Sequence, residues 1–200
     1  MKSHNDLIME IPGIIPKSFC DHLIQKFEDD WHDTPHLRGN VSRFLEIFGD
    51  EKWKKESDKI IPLVADMVKL YTKYLEEEYK FDQDTGAFDS MVKWVNEGLH
   101  DTGYTIEKRC EGFKSNWHCH DNRDPYNYIF GIMYLNTIEP SNGGTTEFIN
   151  GRKITPECGK IMLCPANWGY AYIENKVNKG NRYTIIFKVY LDILPPSDKF

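Results

Sequence analysis

The chain has 200 residues, 40% of them hydrophobic and 14% aromatic, which is enough apolar volume for one filled core. Its formal net charge of −6 argues against nucleic-acid binding, which rests on neutralising phosphates. No apolar run approaches the ~20 residues of a membrane span, so no membrane partner is expected. The opening Met1-Lys2-Ser3-His4-Asn5-Asp6 lacks the apolar stretch of a signal peptide, and a cytoplasmic location is expected. Five cysteines (Cys20, Cys110, Cys119, Cys158, Cys164) form no CxxC pair and are odd in number. Free thiols in a reducing compartment fit them better than a disulfide framework.

Residues 7–15 read as a short opening strand interrupted by Pro12-Gly13. Ser18 is placed to cap a helix in which Phe19, Leu23, Ile24 and Phe27 recur at three- and four-residue steps. Asp33 to Gly49 has weak periodicity, with Pro35 and Gly39 as breakers, and reads as loop. The strongest helical pattern runs from Trp53 to Tyr79, with Ile60, Val64, Met67, Tyr71 and Leu75 on one stripe. Pro62 near its beginning predicts a start around Lys59. A shorter helix is predicted from Phe88 to Leu99.

After Gly103 the pattern changes. Tyr104–Arg109, Tyr128–Leu135, Thr145–Phe148, Lys160–Cys164, Tyr170–Ile173 and Tyr183–Leu191 are short runs rich in β-branched and aromatic residues, separated by Gly, Pro and Asn. Helices followed by strands describe an α+β domain, or helices packed on a β-sandwich. One domain is expected over 1–200, with a mainly helical part at 1–101 and a sheet core at 102–194.

Several side chains in the second half carry chemistry. His118 and His120 are two apart, so on a strand both imidazoles share a face and suit a metal, although local sequence alone favours a partly exposed strand end where two histidines alternate. Asp121, Asn122 and Asp124 follow, either as further ligands or as the turn that Asp124-Pro125 signals. Gly143-Gly144 marks a tight turn or a close backbone approach. Arg182 and Thr184 alternate on one face, a guanidinium fork beside a hydroxyl that suits a carboxylate; a solvated strand would carry the same pair. Tyr126, Tyr128, Trp117 and Trp168 read as core aromatics or as the lining of a substrate groove.

In order, the chain holds Trp117-His118-Cys119-His120, Tyr134-Leu135-Asn136, Gly143-Gly144-Thr145-Thr146-Glu147-Phe148, Ile154-Thr155-Pro156-Glu157-Cys158-Gly159, Trp168-Gly169-Tyr170-Ala171-Tyr172 and Arg182. This series resembles the 2-oxoglutarate and Fe(II)-dependent oxygenases, in the prolyl-4-hydroxylase-like branch common in bacteriophages and marine bacteria. The resemblance covers roughly residues 103–191 and implies a double-stranded β-helix (jelly roll) with N-terminal helices packed against it. It also implies a facial triad of two histidines and a carboxylate, with a late basic residue holding 2-oxoglutarate.

Here His118 matches the first histidine, His120 replaces the acidic ligand, and Tyr172 falls on the distal histidine, with Tyr170 as its neighbour. Arg182, supported by Thr184, matches the cosubstrate anchor, so 2-oxoglutarate is the implied cofactor while a standard Fe(II) centre is not expected. No histidine follows His120. Two readings stay open. In one, the protein has lost standard catalysis and serves in binding or assembly, with a protein or a small carboxylate as partner, and the virion of a phage as a location beside the cytoplasm. In the other, it is a 2-oxoglutarate-dependent dioxygenase with an altered metal centre at His118, His120 and Asp121 or the bound cosubstrate.

Overall fold

The β-branched and aromatic runs of the second half cannot bury their backbone groups alone, and they pair into two antiparallel sheets. The computed structural model describes residues 7–30, 42–79, 99–119 and 127–191. Its strands are β1 (Met9–Ile11), β2 (Ser42–Glu46), β3 (Leu99–Arg109), β4 (Asn127–Tyr134), β5 (Thr146–Phe148), β6 (Lys153–Ile154), β7 (Ile161–Pro165), β8 (Tyr172–Glu174) and β9 (Arg182–Leu191), with helices α1 (Lys17–Asp30) and α2 (Lys54–Tyr79). A six-stranded sheet runs β1-β7-β4-β9-β3-β2 and a three-stranded sheet runs β6-β5-β8. This is the predicted jelly roll with helices against it.

Strand alternation sorts the side chains of the large sheet into two environments. On one face Tyr104, Ile106, Met133, Leu163, Ile185 and Phe187 join Leu23 and Phe27 of α1 and Ile60, Val64 and Tyr71 of α2 in one core cluster. The other face meets the small sheet. There Phe130, Ile132, Tyr134, Met162 and Cys164 pack with Phe148, Ile154 and Tyr172 in a second cluster. At the β2–β3–β9 end of that interior, charged residues replace apolar ones.

Close approach explains two glycines. Gly131 lies opposite Phe187 across the β4–β9 ladder, and a Cβ on it would sit 2.1 Å from the Phe187 ring. Gly143 has φ +76, and a Cβ there would meet the Lys176 carbonyl at 2.1 Å. The Gly143-Gly144 signal therefore marks a turn and a close approach together.

Local expectations differ from the structure at several points. Ser18 lies inside α1; Pro16 stands at the cap, its carbonyl accepting from Phe19 and Cys20 N–H. The predicted loop over Asp33–Gly49 holds β2, which lacks alternation because it is a sheet edge defined by pairing Ser42–Glu46 with Thr105–Arg109. The long helix starts at Lys54, before Pro62. Its first turns are pinned by tertiary contacts: Trp53 is fully buried, the Ser57 hydroxyl donates to Ile47 O, and Glu56 accepts from His22 Nε2 at 2.8 Å and Lys26 Nζ at 2.7 Å.

The helix expected over Phe88–Leu99 falls outside the described residues, except that Leu99 opens β3. Tyr170 belongs to a 3-10 turn rather than to the strand, and β6 had no sequence signal. Among the described residues, no helix is long and apolar enough to cross a membrane.

Candidate functional site

Two residues of β8 face the interior, because Tyr172 and Glu174 are two apart on a strand. Tyr172 pairs with His118 through both backbone hydrogen bonds, Tyr172 N–H to His118 O at 2.9 Å and His118 N–H to Tyr172 O at 3.0 Å. Their rings lie 4.3 Å apart between centroids, while Phe130 stacks on the phenol at 5.3 Å and Phe148 lies at 5.9 Å. The phenol is buried. Burial pushes its pKa well above 10, and the carboxylates of Glu174 and Glu107 push the same way. Tyr172 is therefore neutral at physiological pH.

His118 Nδ1 lies 2.8 Å from the Asn116 carbonyl. A carbonyl only accepts, so Nδ1 carries the hydrogen and Nε2 is the basic nitrogen. His120, Asp121, Asn122, Asp124 and Tyr126 lie outside the described residues, so the predicted pairing of two histidines is not placed. Trp117 and Trp168 are 50% and 77% exposed, which removes both from the core.

Arg182 and Thr184 open β9 on the inward face, Arg182 opposite Arg109 and Thr184 opposite Glu107 on β3, so the solvated-strand reading does not apply. Both are buried. The guanidinium of Arg182 lies over the Tyr134 ring, donates from Nη2 to Thr146 Oγ1 at 3.2 Å and faces Glu174 Oε1 from Nη1 at 3.1 Å. Glu174 in turn accepts from Arg109 Nε on its second oxygen at 3.1 Å, and Arg109 Nη2 donates to Glu107 Oε2 at 2.6 Å. Arg109 also donates to the Ser42 hydroxyl. Two guanidiniums and two carboxylates thus form one buried chain, Arg182–Glu174–Arg109–Glu107.

The two acids differ. For Glu174, burial raises the pKa, but Arg182 and Arg109 outweigh it and hold the carboxyl below its ordinary value. For Glu107, burial dominates over the pull of Arg109, and Glu174 adds to it, so the carboxyl is raised. Of the coupled pair, Glu107 takes the proton first. Burial likewise pushes the Tyr134 phenol up to about 12; its oxygen lies 2.9 Å from Thr146 Oγ1.

A cavity of about 300 Å³ opens beside this chain, bounded by Phe44, Glu46, Glu107, Arg109, His118 and Tyr172. Sequence reasoning named its His118 and Tyr172 but missed Glu107, Arg109 and Glu174. Period-two alternation carried the signal for Glu174: once Tyr172 is placed inward, Glu174 must be inward too. Glu147, by contrast, turns outward to Asn175 and Lys153.

No protein-family model and no curated protein sequence matches the chain. Solved structures do. The chain superposes on a viral collagen prolyl hydroxylase from Paramecium bursaria Chlorella virus-1 in complex with 2-oxoglutarate (TM-score 0.62, 13% identity, 94% of this chain and 97% of that one). The chain has the fold of the prolyl-hydroxylase-like 2-oxoglutarate oxygenases. A prolyl hydroxylase from Trichoplax adhaerens, bound to a hypoxia-inducible-factor peptide, matches at TM-score 0.64 with 12% identity over 94% and 85% of the two chains. HygX from Streptomyces hygroscopicus, with nickel and 2-oxoglutarate bound, matches at 0.58 with 12% identity over 94% and 84%.

Within this oxygenase fold the side chains test the implied groups. A ferrous centre built on the position of Tyr172 would need phenolate, and deprotonation from an ordinary pKa near ~10 costs about 4 kcal/mol at pH 7. Burial beside two carboxylates adds to that cost. Of the positions that the resemblance assigns to the triad, the described residues hold His118 and the neutral phenol of Tyr172; that of His120 lies outside them. Arg182, to which the resemblance assigns the cosubstrate anchor, is ion-paired with Glu174 of this chain.

Proposed function

We propose that this is a prolyl-hydroxylase-like oxygenase fold that has lost standard Fe(II) catalysis and serves as a binding or assembly protein. One observation carries the reading: the neutral phenol of Tyr172, packed against His118 and Phe130, occupies the position that the sequence resemblance assigns to a distal imidazole. A partner protein is favoured over a small carboxylate, because Trp117 and Trp168 are exposed while Arg182 is enclosed. The cytoplasm or a phage particle is the proposed location. Metal analysis after anaerobic iron loading, with succinate release from 2-oxoglutarate as second readout, tests the loss of catalysis. Substoichiometric iron and no succinate are expected; turnover that His118→Ala abolishes would overturn the reading.

A second reading, an active dioxygenase with an altered metal centre, is favoured by His118 alone. Its Nδ1–H is committed to Asn116 O, which orients Nε2 as a ligand would require, and its ring borders the cavity. His120 and Asp121 would complete such a centre. The same iron-loading experiment separates the two.

A further inference from the structure

A buried guanidinium fork selects a carboxylate, and Arg182 has one within its own chain. Glu174 is 4% exposed and reaches Arg182 Nη1 and Arg109 Nε, each at 3.1 Å, with one oxygen apiece. The interior then holds two positive and two negative side chains, a balance that a diffusible dicarboxylate would upset by two charges in a poorly solvated space. The carboxylate arrives tethered to a paired strand, so it binds without loss of translational freedom and outcompetes a free acid of the same chemistry. The fit is incomplete. Arg182 Nε and Nη1 and Thr184 Oγ1 are buried without a hydrogen-bond partner among the described residues, the Nη1–Glu174 contact being an ion pair only, as expected where a side-chain carboxylate satisfies only part of a site shaped for a larger anion.

We infer that Glu174 is a built-in carboxylate that closes the anion site at Arg182, so that the wild-type chain excludes 2-oxoglutarate and related acids, and that removing Glu174 opens the site. This rests on the reading of the protein as a catalytically silent oxygenase fold and deepens it by assigning the occupant of the anchor.

The test is binding, followed by calorimetry and by thermal melting, with 2-oxoglutarate, succinate and acetate as probes. Wild type is expected to show no saturable heat and no rise in melting temperature. Glu174→Ala is expected to melt lower and to recover with added carboxylate, binding it more than about tenfold more tightly than wild type. The double variant Glu174→Ala/Arg182→Met should lose that recovery. Glu174→Gln, which keeps the volume and removes the charge, serves if the alanine variant does not fold; it too should gain a saturable response to acetate.

Saturable binding of 2-oxoglutarate to wild type without succinate release would overturn this inference and leave the silent reading standing. So would variants that gain nothing, or a rescue that survives loss of Arg182. Succinate release by wild type would overturn both.

Discussion

The imidazole of His118 and the phenol of Tyr172 lie 4.3 Å apart between ring centroids, on residues whose backbones are tied by two hydrogen bonds. Replacing the phenol by a second imidazole at that separation should create what the site lacks. Tyr172→His is expected to bind Ni²⁺ or Co²⁺ at a level that wild type does not, read by calorimetry and by the visible spectrum of the cobalt form. Loss of the stacking on Phe130 should lower stability by about 1–3 kcal/mol. No gain in metal affinity would show that the bridge is not the remnant of a ligand pair.

The two buried acids should respond unequally to neutralisation. Glu174→Gln leaves two guanidiniums facing one carboxylate and should destabilise by about 3 kcal/mol in urea unfolding at pH 7. Glu107→Gln removes a carboxylate whose charged form burial already disfavours, and Arg109 keeps Glu174; a change under about 1 kcal/mol is expected. Equal costs would mean that the chain of charges is not ordered as described.

Their pH signatures have opposite signs. Glu174 is held below the ordinary carboxylate value of 4.5, so its contribution is present above that value and is lost as pH falls through the lower folded pKa. Glu107 is raised above 4.5, so its contribution is full below that value and is lost as pH rises through the higher folded pKa. Glu174→Gln should therefore flatten the acid limb of a stability–pH profile, and Glu107→Gln should flatten the profile just above pH 4.5. Urea midpoints measured across pH 3–7 check both.

Thr184 carries a buried hydroxyl with no partner among the described residues. Thr184→Val keeps the shape and removes an unsatisfied group, and should stabilise by about 1 kcal/mol. A loss of stability in thermal or urea unfolding would show that the hydroxyl is satisfied in solution.

Gly131 tests the packing of the large sheet. A methyl group there would meet the buried ring of Phe187, whose neighbours on the helix-facing side leave it little room to turn. Gly131→Ala should cost about 2 kcal/mol or more, and Gly131→Ala/Phe187→Leu should recover part of it.

Much of this protein was legible from its residues alone. The apolar stripe from Ile60 to Tyr71 and the short runs after Gly103 report burial on one face, and burial follows from local periodicity. That is why α2 and the later strands could be read, while the jelly roll and the place of Tyr172 came from the family resemblance. Long-range pairing decided the rest. Strand β2 exists because Ser42–Glu46 meets β3, and Pro62 is tolerated because Trp53, Glu56 and Ser57 hold the helix start. The Arg182–Glu174–Arg109–Glu107 chain joins three strands from two sheets, so no local pattern marks it. Charge pairing depends on distance through space, and only register and sheet stacking set that distance.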